Sequence, residues 1–598
     1  MCGVCGLVTR QRDLPGDAVV ARMTRALTHR GPDSDGLLAR PDDGVYLGFR
    51  RLSIIDLSPR GSQPMANETG DIWLVFNGEI YNHRALRREL VAAGHDFRSD
   101  ADSEVILHGY EAWGTDVVLH LRGMFAFAVW DGRRKRLVLG RDRIGIKPLY
   151  YLDLGHSLVF ASEARAFQTL PGDLWRPHLN HAALPDLVAL GYLVEPQQSV
   201  LAGLKTVPPG SILVLEDGVL SDHTYWSLGD LRAMPAPSYD EARDEVSRRL
   251  TDAVGLMLQA DVPVGVLLSG GIDSSVVTAL AQQQSAQPVR TFTVGYAHAK
   301  DERAYAESVS QFLGTAHTSL ELDYTRIFER LPEICAVYDD LCSTDGGFVS
   351  TYLIAEQVRA HGIKVVLVGE GGDEVFGGYS PFSMARPPWQ YLPSAVRAAL
   401  HFYIFGHTLV APGLVGAYGR FRREWNQVRE ADLFRQTTQF EITRQLPHNY
   451  LMKVDKGTMA HGLEARVPYL DESVVEYAYA LPAGYKMTSR GLGWNAVEEK
   501  RVLKDIGRGL LPPAIAARRK QGFSLPQESV VSSNAAAIGE IVTAHGSLAR
   551  DLMSPARLSR LLRAGRHARG ARATWSNTVL WRLLTAELWW QSWRQASA

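Results

Sequence analysis

Three stretches of this 598-residue chain combine residue types that can do chemistry: MCGVCGLV at the start, VPVGVLLSGGIDSSVV at 262–277 and KVVLVGEGGDEVFGGY at 364–379. In the first, Cys2 is either an ordinary buried thiol or, once the methionine is removed, a nucleophile. Its own α-amine, with a reference pKa of about 7.7–8.0, would then serve as its base. In the second, an apolar strand runs into Ser269-Gly270-Gly271 and hydroxyl residues open a helix, with Ser274 predicted as its N-cap. Glycines let backbone N–H groups approach an anion, and a helix N-terminus adds partial positive charge. The lysine of a GxxxxGK[ST] loop is missing, so this is not the loop that delivers a γ-phosphate. Asp273 stands inside the loop, and a carboxylate beside phosphates calls for a cation, magnesium by preference. The third stretch repeats the pattern, with Glu370, Asp373 and Glu374 on a glycine turn after an apolar strand. In an open parallel sheet, ligands gather at the C-terminal ends of the strands. Asp273 and Asp373 are therefore expected to hold one or two Mg2+ ions between them.

The elements that must position these groups fall into two parts. Residues 1–227 read as short strands such as GVYLGFRRLSIIDL, DIWLVFNGEI, MFAFAVWDGRRKRLVLGRD and HSLVFASE, interrupted by helical HRALRRELVAAG and SEVILHGYEAWG. This is a strand-dominated α+β domain, with a hairpin predicted at WDGRRKRLV. Proline and alanine mark a linker at 228–240, followed by a long helix, YDEARDEVSRRLTDAVGLML. From 241 to 598, strand and helix first alternate, which predicts an α/β domain with a parallel sheet, and the remainder reads as helical. AVRAALHFYIFGHTLVAPGLVGAY is the most apolar long window, but Arg397, His401, His407 and Pro412 interrupt it, so a buried helical pair is predicted rather than a membrane span. Arg557, Arg560, Arg563 and Arg566 read as a solvated helix face, and Leu580, Leu583, Leu584 and Leu588 as a packing stripe.

Composition narrows the partners. A net charge of −1 supplies no field for nucleic acid or an anionic membrane. Four cysteines argue against a disulfide scaffold, and no second CxxC accompanies Cys2 and Cys5 to make a zinc site. Together with the lack of a signal-peptide pattern, this predicts a cytoplasmic protein.

With these residues in view, a resemblance is evident. SGGIDSS resembles the pyrophosphate loop of the ATP pyrophosphatase group, and GEGGDEVFGGY, KVDKGTMAHGLEARVPYLD and RRKQGFSLP resemble the synthetase domain of glutamine-hydrolysing asparagine synthetases. HRGPDSDG, RRLSIIDL, FNGEIYNH and SDADSEV occur in the order seen in the glutaminase domain of class II amidotransferases. The resemblance implies an N-terminal-nucleophile glutaminase with stacked antiparallel sheets, joined to an ATP pyrophosphatase-type domain. It implies Cys2 as nucleophile, with the Asn77 side chain and the Gly78 N–H as oxyanion hole. Arg51, beside Leu52, would pair with the glutamine α-carboxylate, and Glu79 and Asp102 would take its ammonium. Ser269, Gly270, Gly271, Asp273 and Ser274 would hold pyrophosphate, while Leu267, Val294, Val368 and Gly369 would border the adenosine. Glu370 would act near the reacting carboxyl group, and Lys500 would neutralise charge on the adenylate.

The implied activity is glutamine- and ATP-dependent amidation of a carboxylic acid, with ammonia passing internally from Cys2 to an acyl-adenylate. The partners would be glutamine, ATP and the acid, with room for a homodimer. A nucleic-acid-modifying enzyme with the same loop would want a basic surface, and a dead regulatory protein would not keep the full residue set. The acceptor stays open. In VYDDLCSTDGGFVSTY, Tyr338 and Asp339 match the aspartate-using pattern, but its arginine does not occur and Gly346 and Gly347 replace bulkier residues. The candidates are aspartate and a different acid of a specialised pathway.

Overall fold

The structure is a computed structural model and describes residues 2–596 apart from 12, 232–234, 296–300, 324–325, 342–345, 407–414, 429, 431, 490–496, 519–524, 526 and 568–570. Its N-terminal part stacks two antiparallel sheets. One is built from β1 (Gly3–Thr9), β2 (Ser34–Arg40), β3 (Val45–Arg51), β8 (Tyr150–Asp153), β9 (Ser157–Ala161) and β10 (Leu204–Thr206), in the order β10-β8-β9-β1-β3-β2. The other contains β4 (Met65–Ala66), β5 (Ile72–Ile80), β6 (Gly123–Asp131), β7 (Arg136–Arg141), β11 (Ser211–Glu216) and β12 (Val219–Thr224), in the order β12-β11-β7-β6-β5-β4.

The alternation of β6 shows why the sheets stack. Successive strand residues point to opposite faces. Ala126, Ala128 and Trp130 pack with Val4, Leu47 and Phe49 of the facing sheet. Phe125, Phe127 and Val129 face the helix Glu104–Trp113 through Val105 and Ile106. Each such phenylalanine, fully buried, contributes ~1.5–3 kcal/mol. On the opposite side of the sandwich, Val19, Val20 and Met23 of the helix Gly16–Ala26 cover Cys5 and Leu7. The strand predicted through RRLSIIDL ends at Arg51; beyond it the chain leaves the sheet at Leu52. The predicted hairpin is present, with Asp131 paired to Arg136.

A capping box at Ser238 and Glu241 starts the long helix Tyr239–Met257. Then come the strands of one parallel sheet: β13 (Val264–Leu267), β14 (Arg290–Gly295), β15 (Ala316–Glu321), β16 (Val365–Leu367) and β17 (Glu464–Arg466), ordered β15-β14-β13-β16-β17. From β13 the chain first builds outward to β15, then returns to place β16 on the other side of β13. The crevice at that reversal, beyond the ends of β13 and β16, is where such sheets bind ligands.

The apolar window forms the helices Ser394–Gly406 and Val415–Gln427, packed through Ala398, Phe402, Ala417 and Phe421. Among the described residues no helix is long and apolar enough to cross a membrane. Of the four arginines, Arg560 and Arg563 are exposed, Arg557 is half-buried and the Arg566 side chain lies outside what is described; Leu580, Leu583, Leu584 and Leu588 are buried, as predicted. The main core is continuous between the two parts, joining Tyr150 and Leu187 to Leu451 and Trp581.

Candidate active sites

Cys2 immediately precedes β1. Its N–H donates to Asn77 Oδ1 at 2.9 Å, and its Sγ lies 4.0 Å from the Leu52 carbonyl oxygen. Desolvation pushes the thiol pKa up, so the resting group is the thiol and attack requires a base. Asn77, on β5, is fully buried, and its Nδ2 has no hydrogen-bond partner among the described residues. A buried amide donor left over in this way suits a ligand oxygen better than a core role. At Gly78 a Cβ would lie 2.1 Å from the Met124 carbonyl oxygen, so only glycine lets β5 approach β6 there.

Arg51, at the end of β3, is buried and held by backbone carbonyls: Nη1 donates to Ser58 O at 2.7 Å, and Nη2 to Asp56 O. Asp102 Oδ2 accepts from the Ile80 N–H at 2.8 Å. Burial raises the pKa of both Glu79 and Asp102, and for Glu79 the neighbouring Asp102 adds to the rise. Cys5 is fully buried against Thr24, an inert thiol.

The second site is a cavity of about 340 Å3 at the chain reversal of the parallel sheet. It is lined by Leu267, Ser269, Gly271, Asp273, Ser274, Val294, Val368, Gly369, Glu370, Asp373 and Lys500. Gly270 is not part of the lining; its φ of +71° makes the turn, against Tyr305. Ser274 is not the N-cap. Gly271 holds that position, and the Ser274 hydroxyl instead accepts from the Ser269 N–H at 3.2 Å, bracing the loop from the first turn. The loop bends one turn earlier than predicted, because its glycines let the backbone enter the helix at Ile272.

Lys500 places Nζ 2.5 Å from Asp273 Oδ2 and 2.6 Å from Asp373 Oδ1. Burial by itself would lower its pKa; the two carboxylates outweigh it and hold the lysine above its usual value. Its φ of +53° is left-handed, a strained backbone for lysine. The residues just before it, 490–496, lie outside the described residues, as does most of RRKQGFSLP. Arg518 of that motif is described: it donates to Gly270 O at 3.0 Å and pairs with Glu302 at 2.8 Å, clamping the loop.

The geometry adds residues that the motif reading left without a role. Lys453 also lines the cavity, with Nζ 3.8 Å from Glu370 Oε1. Two positions along the same helix, Leu451–Met459, Asp455 accepts from Arg30 Nη1 at 2.8 Å, and Arg30 Nε donates to the Cys2 carbonyl at 3.1 Å. Arg466, at the end of β17, is fully buried and donates to Glu79 at 2.8 Å and Glu464 at 2.6 Å. Lys456 pairs with Asp339, which also accepts from the Arg165 N–H at 2.7 Å.

A thiol beside a buried amide donor on stacked sheets, and a glycine-loop cavity on a parallel sheet, define a two-site amidotransferase. Comparison with known proteins agrees. The glutamine amidotransferase domain model matches residues 1–226 and the asparagine synthase model residues 245–593. Asparagine synthetase [glutamine-hydrolyzing] 1 of Bacillus subtilis is 30% identical, over 88% of this chain and 87% of its own. Asparagine synthetase B [glutamine-hydrolyzing] of Escherichia coli is 30% identical over 88% and 82%. Amidase chry2 of Gibberella zeae is also 30% identical, over 88% and 89%. The chain belongs to the glutamine-hydrolysing asparagine synthetase family and is a glutamine-dependent amidotransferase.

Proposed function

We propose that the protein makes ammonia from glutamine at Cys2 and uses it to amidate a carboxylic acid that ATP has activated as an acyl-adenylate, aspartate being the acceptor of first choice. The observation that carries this reading is the helix Leu451–Met459, which sends Lys453 into the nucleotide-type cavity and Asp455 to the arginine that holds Cys2.

In the first half-reaction the free α-amine of Cys2 takes the thiol proton, and the sulfur attacks the glutamine carboxamide. Asn77 Nδ2 and the Gly78 N–H face the developing oxyanion; one such donor is typically worth about 2.7–4 kcal/mol. Arg51 holds the α-carboxylate with Leu52 beside it, and Glu79 with Asp102 receives the α-ammonium, whose positive charge favours their ionised forms. The thioester carbonyl is then hydrolysed to glutamate after ammonia departs.

In the second half-reaction Ser269, Gly271 and Ser274 hold the β- and γ-phosphates, with Gly270 making the turn between them, while Leu267, Val294, Val368 and Gly369 border the adenosine. The acceptor carboxylate oxygen attacks the α-phosphorus and pyrophosphate leaves. Two carboxylates converging on one Nζ are hard oxygen donors that fit Mg2+, so Asp273 and Asp373 are its proposed ligands. When bound there, the ion neutralises charge on the leaving pyrophosphate. Lys500 offsets charge on the adenylate, and Glu370 accepts a proton from the incoming ammonia as the amide forms and AMP leaves. The free thiols of Cys2 and Cys5 support a cytoplasmic setting.

Lys453 supplies a cation for the α-carboxylate of aspartate where the arginine of the aspartate-using pattern does not occur. A second reading, a bulkier acid, is favoured by Gly347 at the cavity wall, where a side chain would otherwise fill space. The test is AMP and pyrophosphate release with glutamine and each candidate acid, with the amide identified by mass spectrometry. Efficient asparagine formation supports the first reading. Intact glutaminase with no dependence on aspartate overturns it in favour of the second, and ADP with orthophosphate would refute the adenylate itself.

A further inference from the structure

We propose that the glutaminase domain binds one divalent transition-metal ion, zinc by its donor chemistry, at Glu68, His95, His108 and Glu111, a site apart from both reaction centres. These are the four described residues whose ligand atoms all lie within 4.8 Å of one another. His108 Nδ1 is 3.0 Å from Glu111 Oε2 and 3.7 Å from Glu68 Oε1, and His95 Nδ1 is 3.7 Å from the same Glu111 oxygen. A tetrahedral ion with bonds of about 2.0–2.1 Å separates its ligand atoms by about 3.3–3.4 Å, so these spacings bracket the geometry zinc requires. Two imidazoles with two carboxylates suit zinc or cobalt(II), whereas magnesium and calcium prefer oxygen donors alone.

The ligands come from three separate segments. Glu68 lies in the turn between β4 and β5, His95 follows the helix His83–Ala92, and His108 and Glu111 are one turn apart on the helix Glu104–Trp113. Ligands gathered from separate segments need support, and each helix ligand has it. Asn67 Nδ2 donates to Glu111 Oε1 at 2.7 Å, leaving Oε2 turned toward the histidines. His108 is 1% exposed, packs on Phe97 and makes no hydrogen bond at Nε2, which instead faces Glu104 Oε1 at 3.6 Å. Glu104 is itself fixed by the N–H groups of Arg98 and Ser99 at 2.7 and 2.8 Å. A carboxylate behind a ligating histidine, itself hydrogen-bonded, is how metal sites orient their imidazoles. The competing state is a protonated His108 paired with the carboxylates and no ion. Zinc would take over that positive charge with both imidazoles neutral, releasing protons as it binds. The ion would clip the start of β5 to the helix that follows Asp102.

The experiment is a cobalt(II) titration of the full-length protein after chelator treatment, read by visible d–d absorption, together with thermal melts with and without zinc. The expected result is one equivalent of tetrahedral cobalt, displaced by zinc and not by millimolar magnesium, with a rise in Tm on zinc binding. His95→Ala removes a partly exposed ligand, so it should fold; it should lose both the bands and the Tm rise, with ammonium-driven synthesis unchanged. Cys2→Ala should keep both. Three outcomes overturn the site: no cobalt bound, the same bands in His95→Ala, or bands lost in Cys2→Ala, which would make the thiol the ligand.

Discussion

Cys2 illustrates how little a single side chain decides. Its thiol is pushed up by burial, and what makes it a candidate nucleophile is its position beside the Asn77 amide. Cys2→Ala should abolish glutamine hydrolysis and leave synthesis from ammonium salts intact; wild-type glutamine turnover in that variant would defeat the assignment. Asp273→Asn keeps the shape of the loop and removes one anionic oxygen beside Lys500. If Asp273 holds Mg2+ as proposed, loss of that charge–metal contact should cost several kcal/mol of transition-state stabilisation, roughly 100-fold or more in synthesis at about 1.4 kcal/mol per factor of ten. Glutaminase activity should stay, because Asp273 lies in the other cavity. Measured kcat for ammonium-dependent AMP release checks this, and an unchanged value would remove Asp273 from the metal site.

At the level of elements, the helix Leu451–Met459 and strand β17 each touch both halves of the enzyme. The helix carries Lys453 on the cavity side and Asp455 against Arg30; β17 ends in Arg466, which reaches Glu79. Arg30 and Asp455 are both almost wholly buried, so neither charge has water to fall back on. Glu163 also holds Arg30 Nη1, at 2.7 Å, and Lys147 lies 3.5 Å from Asp455, so neutralising Asp455 removes one of two carboxylates from Arg30 and costs less than the ~3–5 kcal/mol of an isolated buried pair. Asp455→Asn should therefore lower Tm. Because Arg30 also holds the Cys2 carbonyl, the same change should uncouple the reactions, producing more glutamate than amide. Amide and glutamate still formed one to one in a folded variant would show that the pair only supports stability.

Across the whole molecule, the seam between the halves carries buried charged and titratable groups beside the shared apolar core, and their titration should be visible in stability. Desolvation, with Arg141 and Arg444 nearby, pushes His448 down to about 3, whereas in the unfolded chain a histidine titrates near 6.5. Between those values the unfolded state binds the proton and the folded state does not, so stability falls as pH drops below about 6.5. His448→Gln should make the urea midpoint fall less steeply between pH 7 and pH 5 than in the wild type; equal slopes would mean that His448 titrates alike in the folded and unfolded states. What the sequence by itself determined was local. The SGGIDSS and GEGGDE turns, the hairpin at WDGRRKRLV and the apolar stripe at Leu580–Leu588 follow from local pattern, because a glycine turn, a hairpin or a helical stripe is decided by neighbours along the chain. Which residue capped the helix after Gly271 was not legible, since Ser269 and Ser274 compete for the same hydrogen bonds. Nor were the partners of Arg30, Asp455, Glu79 and Arg466, separated by hundreds of residues. Only the tertiary structure decided those, because a charge takes the nearest opposite charge in space once water has been excluded, and chain order carries no record of that distance.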